Sequence, residues 1–337
     1  MRAADTRVLG RSGLQVSQLG FGGAPLGNLF AELSEADAAD AITGALACGI
    51  RLFDTAPLYG HGLSEHRFGA ALRRYPRDAF VLATKVGRLL RPDPIADGGL
   101  YRRILPFATA YDYSYDGVLR SIEDSLQRLG LARIDVVHIH DVDIWTHKSQ
   151  SAMDQRFTEV MGGGYRALQR LREEKAIGAI GVGVNEWQAC QRFAEAGDFD
   201  CFLLAGRYTL IEQEALDSLL PLCAARNIAI IVGGPFNTGI LATGAVAGAT
   251  YNYHPASPEV LERVRRIEAV CRHHGVAIAS AALQFPLHHP AVASVIPGAR
   301  SPAEVAANVA AFEAPVPPSL WDELKTAGLL RADAPTP

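Results

Sequence analysis

Four residues of proton-transfer type close or follow three apolar stretches of the chain. Ile50 to Phe53 ends at Asp54, and a turn through Pro57 then presents Tyr59 beside Gly60. Phe80-Val-Leu-Ala-Thr84 ends at Lys85, and Ile134-Asp-Val-Val-His-Ile-His ends at His140. A tyrosine titrates near pH ~10 when unperturbed, and an ammonium beside it favours the tyrosinate. An aspartate next to that lysine holds it charged, and a histidine can orient a substrate oxygen or pass a proton. Taken singly, each has a plainer reading. Asp54 suits a turn, Tyr59 a packed loop ring and His140 a satisfied core histidine. Lys85 is the most telling, because the chain has only four lysines, at 85, 148, 175 and 325, and this one ends a buried-type strand.

The four can act together only if the strand ends meet. The pattern predicts a hairpin at Arg7–Val16 and then eight short, continuously apolar strands: Val16–Phe21, Ile50–Phe53, Phe80–Thr84, Ile134–His140, Ala179–Val184, Cys201–Leu204, Ile228–Val232 and Ala293–Ile296. Helices are expected between them, among them one opened by Ser34 with Glu35 and Asp37 in its first turn, one over Glu212–Arg226, and a last one opened at Ser301 or Pro302. Continuous rather than alternating apolarity suits a parallel sheet covered on both faces. Eight such units predict an α/β fold of the (β/α)8 TIM-barrel type in one domain, residues 1–337, with long irregular loops at 87–115 and 141–164 on the C-terminal face, where barrel chemistry sits. Neighbouring strands lie about 4.8 Å apart, close enough for one hydrogen-bond network. An open doubly wound sheet is the rival, but Gly20-Phe-Gly22-Gly-Ala-Pro25 does not make its glycine fingerprint.

Composition narrows the class. The 337 residues are 49% hydrophobic and 20% charged, with a net charge of −4 and no block of one sign, which argues against nucleic acid or an acidic membrane surface as partner. No apolar run approaches the ~20 residues of a membrane span, and the first residues lack a signal-peptide core. Cys48, Cys190, Cys201, Cys223 and Cys271 are odd in number and scattered; they read as small buried hydrophobes of a cytoplasmic protein. The sequence is silent on oligomeric state.

Phe53-Asp54-Thr-Ala-Pro-Leu-Tyr59-Gly60, Leu63-Ser-Glu65, Ala83-Thr-Lys85 and the strand ending at His140 resemble the aldo-keto reductases, and the resemblance runs in order from Leu9 to Asn308. It implies a (β/α)8 barrel that binds NAD(P) without a Rossmann motif. Residue by residue, Asp54, Tyr59, Lys85 and His140 match the family's catalytic tetrad, with Tyr59 as general acid/base. Asn185 matches the residue holding the nicotinamide carboxamide. Gly234, Pro235, Phe236 and Thr238 match the loop along the pyrophosphate. Ile296, Gly298, Arg300, Glu304 and Asn308 match the adenosine pocket. There are three departures from the family pattern. Ala205 stands where a glutamine is frequent, Gly233 where an aromatic stacks on nicotinamide, and Gly298 and Glu304 where cations clamp a 2′-phosphate. Glu304 would repel that phosphate and accept from a ribose hydroxyl, so NAD is the expected cofactor. Arg300, which could pair with the phosphate, keeps NADP open.

Within the family, Tyr113-Ser-Tyr115-Asp-Gly, Ser125-Leu-Gln-Arg-Leu-Gly130 and His138-Ile-His140-Asp141-Val-Asp143 resemble dehydrogenases of aldoses at C1 and, equally, of pyridoxal at C4. The resemblance implies oxidation of a cyclic hemiacetal to a lactone, with an aldose of the L-fucose, L-galactose or D-arabinose type as small-molecule substrate and pyridoxal, giving 4-pyridoxolactone, as the alternative. Trp145, Phe107 and Tyr113 are candidate pocket walls. Two readings of other classes compete. His138 and His140 face one way on a strand and could start a zinc site, although a third ligand is wanting among the strand ends; no metal is expected. A nucleotide-binding accessory subunit without turnover is the other, and the complete tetrad weighs against it.

Overall fold

The computed structural model describes residues 1–337. Eight strands form one parallel sheet: β1 Phe21–Gly22, β2 Leu52–Asp54, β3 Val81–Val86, β4 Val136–His140, β5 Ala179–Val184, β6 Cys201–Ala205, β7 Ala229–Gly233 and β8 Val292–Ile296, each paired with its successor. The sheet closes on itself through parallel bridges from Leu19 to Val295 and Gly22 to Gly298, where Gly20 N–H donates to Val295 O at 2.8 Å and Gly22 N–H to Pro297 O at 3.0 Å. Every connection between successive strands carries at least one helix. The expected (β/α)8 barrel is the fold.

The two-residue alternation of a strand sorts its side chains. Leu52, Val81, Ala83, Val136, Ala179, Cys201, Leu203, Ala229 and Ile231 fill the barrel interior together with Leu9 and Val16. The last two come from the N-terminal hairpin, Thr6–Val8 paired with Gln15–Ser17, which plugs the barrel's lower end. The intervening residues face the helices in a second, larger core. The same alternation turns Asp54, Lys85, His138 and His140 toward the interior, at its upper end.

Several expected elements differ. Val16 belongs to the hairpin, so the first barrel strand is only Phe21–Gly22. Residues 87–115 are not irregular throughout: Arg88–Pro92 pairs antiparallel with Phe107–Tyr111. The 141–164 segment holds helices Ile144–His147 and Gln150–Glu159 and a π-helical turn over Val160–Gly164. The helix expected at Glu212–Arg226 is Leu219–Arg226, because Pro221 lacks an N–H and its ring clashes with an upstream helical carbonyl, confining it to the first turn. A further helix, Pro318–Thr326, follows Pro302–Glu313. Four of the cysteines are buried, but Cys48, at the C-terminal cap of helix Glu35–Ala47, is exposed. No helix is long and apolar enough to cross a membrane.

Candidate active site

At the upper mouth the Lys85 ammonium, almost fully buried, donates to Asp54 Oδ2 at 2.6 Å and to Thr55 O at 2.9 Å. The same ammonium stands 4.6 Å from the centroid of the Tyr59 ring, over its face. The His140 ring meets the Tyr59 ring edge-on at 6.0 Å. The four residues singled out by type and spacing therefore converge. Burial, then the Asp54 charge, pushes the Tyr59 phenol well above its ordinary range. The lowering expected from the nearby lysine does not prevail, because burial and the Asp54 charge outweigh it; the ammonium lies over the ring face and commits two of its three donors to Asp54 and Thr55. Burial also raises Asp54, with Lys85 opposing, and burial followed by Lys85 drives His140 well below the usual imidazole range. The resting site thus holds a protonated phenol and a neutral imidazole.

A second buried pair supports the first. Arg88 Nη2 donates to Asp141 Oδ2 at 2.6 Å, and that oxygen is 3.5 Å from His140 Nε2. Asp141 adopts φ 55°, a left-handed conformation that aspartate tolerates better than most residues. Tyr113, proposed as a pocket wall, is fully buried and spends its hydroxyl on His140 O at 2.6 Å.

Two cavities meet at Tyr59 and Asn185. One, of about 390 Å³, runs from Asp54 and Tyr59 over the ends of β7 and β8; Asn185, Gly234, Pro235, Phe236, Thr238, Ile296, Gly298, Arg300 and Glu304 all line it. Asn308 adjoins it, with Nδ2 donating to the lining residue Gly298 at its carbonyl oxygen, 3.3 Å away. The other, of about 600 Å³, is lined by Tyr59, Lys85, His140, Arg88, Asp141, Tyr101, Trp145 and Tyr253, among others. Trp145 is a wall as expected, whereas Phe107 and Tyr113 are not. Sequence reasoning missed Arg88, Tyr101, Arg207, Asn237 and Tyr253. The available signal for Arg88 was an arginine three residues beyond Lys85.

The family model described as Aldo/keto reductase family matches residues 18–328. The chain belongs to the aldo/keto reductase family. Pyridoxal 4-dehydrogenase of Microbacterium luteolum is 42% identical to it, over 98% of this chain and 99% of the relative. D-threo-aldose 1-dehydrogenase of a Pseudomonas species is 39% identical, over 97% of each. A solved aldo-keto reductase of Bacillus halodurans in its holo form superposes with a TM-score of 0.76 at 26% identity, covering 98% of both chains.

An aldo/keto reductase works with a nicotinamide dinucleotide, and the groove that runs from Tyr59 over the ends of β7 and β8 offers polar groups to one. The turn after β7 places Gly234, Asn237, Thr238 and Gly239 at positive φ, and it closes on itself as Asn237 N–H donates to Gly234 O at 2.9 Å and Gly239 N–H to Phe236 O at 3.0 Å. Asn237 Oδ1 is buried there without a partner while its Nδ2 donates to Gly206 O at 3.0 Å. At the far end Arg300 is engaged by Glu304 three times, through its backbone N–H at 2.9 Å, Nε at 3.2 Å and Nη2 at 3.0 Å.

Proposed function

We propose that this aldo/keto reductase is an NAD-dependent dehydrogenase that oxidises the C1 hemiacetal of an aldose to a lactone, in the cytoplasm its scattered free thiols suit. The observation that carries the reading is the buried Lys85–Asp54 pair over the face of Tyr59, placed where the two cavities join. When bound, NAD supplies the hydride acceptor; Asn185 would hold its nicotinamide end, the 234–238 turn its pyrophosphate and the Ile296–Glu304 segment its adenosine. Tyr59 takes the hemiacetal hydroxyl proton as the C1–H bond breaks, and a carbonyl forms at C1. His140, neutral, offers a hydrogen bond to the reacting oxygen. Because the phenol is held protonated at rest, Tyr59 serves readily as an acid in reduction and must lose its proton before it serves as a base. Arg88 and Asp141, a donor and an acceptor on the wall of the larger cavity, suit ring hydroxyls.

Glu304 supports NAD over NADP. Its carboxylate neutralises Arg300, so a 2′-phosphate would have to displace a partner already in place and face the displaced charge.

Pyridoxal is the second reading, favoured by the 42% identical relative and by the rings of Tyr101, Trp145 and Tyr253 in the larger cavity. The test is a panel of L-fucose, L-galactose, D-arabinose and pyridoxal with NAD+ and NADP+. Lactone formation from an aldose with NAD+ is expected. Turnover of pyridoxal alone would promote the second reading, and NAD binding without turnover of any of them would favour an accessory role.

A further inference from the structure

Directly beneath the four mouth residues lies a buried histidine to which the mechanism above gives no task. His138 is fully buried. Its Nδ1 is 4.0 Å from Asp54 Oδ1, and these two atoms are both buried and both without a hydrogen-bond partner. Its Nε2 is 3.6 Å from the Cys201 sulfur. The three strands involved are in register: His138 pairs with Gly181, and Gly181 with Cys201. The imidazole thus reaches across β5 to β6, and it can do so only over a glycine. A Cβ at position 181 would stand 2.8 Å from His138 Cδ2 and 3.0 Å from Cys201 Sγ.

We propose that His138 is a positioning residue of the proton-transfer site: its Nδ1–H holds the second oxygen of Asp54, and the Cys201 thiol fixes its ring by donating to Nε2. The assignment follows from counting donors. A neutral imidazole has one N–H and one lone pair, a carboxylate only accepts, and a thiol can donate weakly. Placing the N–H on Nδ1 and the lone pair on Nε2 is the arrangement that gives Asp54 Oδ1, both ring nitrogens and the thiol a partner each. A shift of about 1 Å brings Nδ1 and Oδ1 to hydrogen-bond length. Burial and the adjacent Lys85 charge keep the ring neutral, and burial keeps the thiol protonated. The titratable groups facing the imidazole are Asp54 on β2, Lys85 on β3, His140 on its own strand and Cys201 on β6, while β5 offers glycines 181 and 183. A carboxylate tied at both oxygens cannot rotate away from the ammonium, so His138 acts on Tyr59 through Asp54 and Lys85.

This proposal rests on the tetrad reading, so wild-type turnover and its loss in Tyr59→Phe are measured first; failure there sinks that reading by itself. His138→Leu is then expected to lower kcat about tenfold or more, the loss of a hydrogen bond to a charged group, with KM changed by less than about twofold. Its acid limb of kcat/KM should move to higher pH, because Asp54 has lost a donor that favours its anion. His138→Asn, whose amide nitrogen can occupy the Nδ1 position, should restore the limb and most of kcat. A merely structural histidine would lower the melting temperature of both variants and leave the limb in place, and that result overturns the proposal. Nitrogen-15 NMR of histidine-labelled wild-type protein gives a check independent of any variant: an Nδ1–H tautomer is expected for His138, and an Nε2–H tautomer refutes it.

Discussion

Replacing Lys85 by methionine removes a charge from the best-buried ion pair of the site while keeping the length of the side chain. Lys85 and Asp54 are 1% and 3% exposed at their side chains and 2.6 Å apart. A buried pair broken on one side costs about 3–5 kcal/mol when the remaining charge stays ionised. Asp54 has a second route, which is to take up a proton. Burial already raises its pKa and Lys85 is what opposes this, so in the variant the folded-state value rises further. An acid whose folded pKa lies above its unfolded one binds more protons when folded, so stability falls as pH rises from the unfolded value through the folded one. Holding Asp54 neutral against an unfolded pKa of about 3.9 costs about 4 kcal/mol at pH 7 and about 1.5 kcal/mol at pH 5. With an unfolding entropy of about 0.7 kcal/mol/K for a chain of this length, Lys85→Met should melt about 6 °C below wild type at pH 7 and about 2 °C below at pH 5. The assay is reversible thermal or denaturant unfolding across that range, repeated on Lys85→Met/Asp54→Leu. The double variant should lose the pH dependence. A deficit that is the same at pH 5 and pH 7, or a single variant within about 1 kcal/mol of wild type at pH 7, would refute the reasoning.

Tyr59→Phe should bind NAD as wild type does, checked by fluorescence titration, and lose about 10²- to 10⁴-fold in turnover. The raised phenol makes wild-type oxidation accelerate as pH increases through about 7 to 9, measured as initial rates of NADH formation; a flat profile would contradict it. Glu304→Gln frees Arg300 from its partner and should improve kcat/KM for NADP+ relative to NAD+ by about tenfold, since one unit charge near a nearly divalent phosphate at an exposed site is worth about that factor. Steady-state kinetics with both cofactors measures the ratio, and no change would show that Arg300 and Glu304 do not meet the ribose. Asp141→Asn should raise KM for a hydroxylated substrate about tenfold by removing a charged acceptor, with a smaller fall in kcat; a fall in kcat alone would place Asp141 behind His140 rather than on the substrate.

How much was legible follows from what positions each residue. Asp54, Lys85 and His140 are carried by strands whose period of two decides their direction, and a local apolar run is enough to place such strands. Reading their convergence needed only the barrel. Arg88 was hidden because its direction depends on a hairpin whose strands, Arg88–Pro92 and Phe107–Tyr111, are separated by fourteen residues with no tight-turn signature; that pairing is non-local and leaves no short-range mark. Phe107 and Tyr113 were misplaced because an aromatic ring carries no directional information, and Tyr113 turns inward to bond His140 O. Asn308 was carried to the cofactor by resemblance alone; one turn beyond Glu304 on its helix, it bonds the carbonyl of Gly298 at the edge of the groove. The direction of the Tyr59 shift was misjudged because a neighbouring lysine was legible, whereas the depth of burial and the Asp54 charge that outweigh it were not. Residues fixed by backbone periodicity are thus readable, and those fixed by long connections are not. On the proposed function, that division separates chemistry from recognition. The proton-transfer groups sit chiefly on the inner face of the sheet, where a change costs core packing, while Arg88, Tyr101, Trp145 and Tyr253 sit on the segments after β3, β4 and β7, which can vary without disturbing the barrel. One sheet can therefore serve relatives named for pyridoxal and for an aldose.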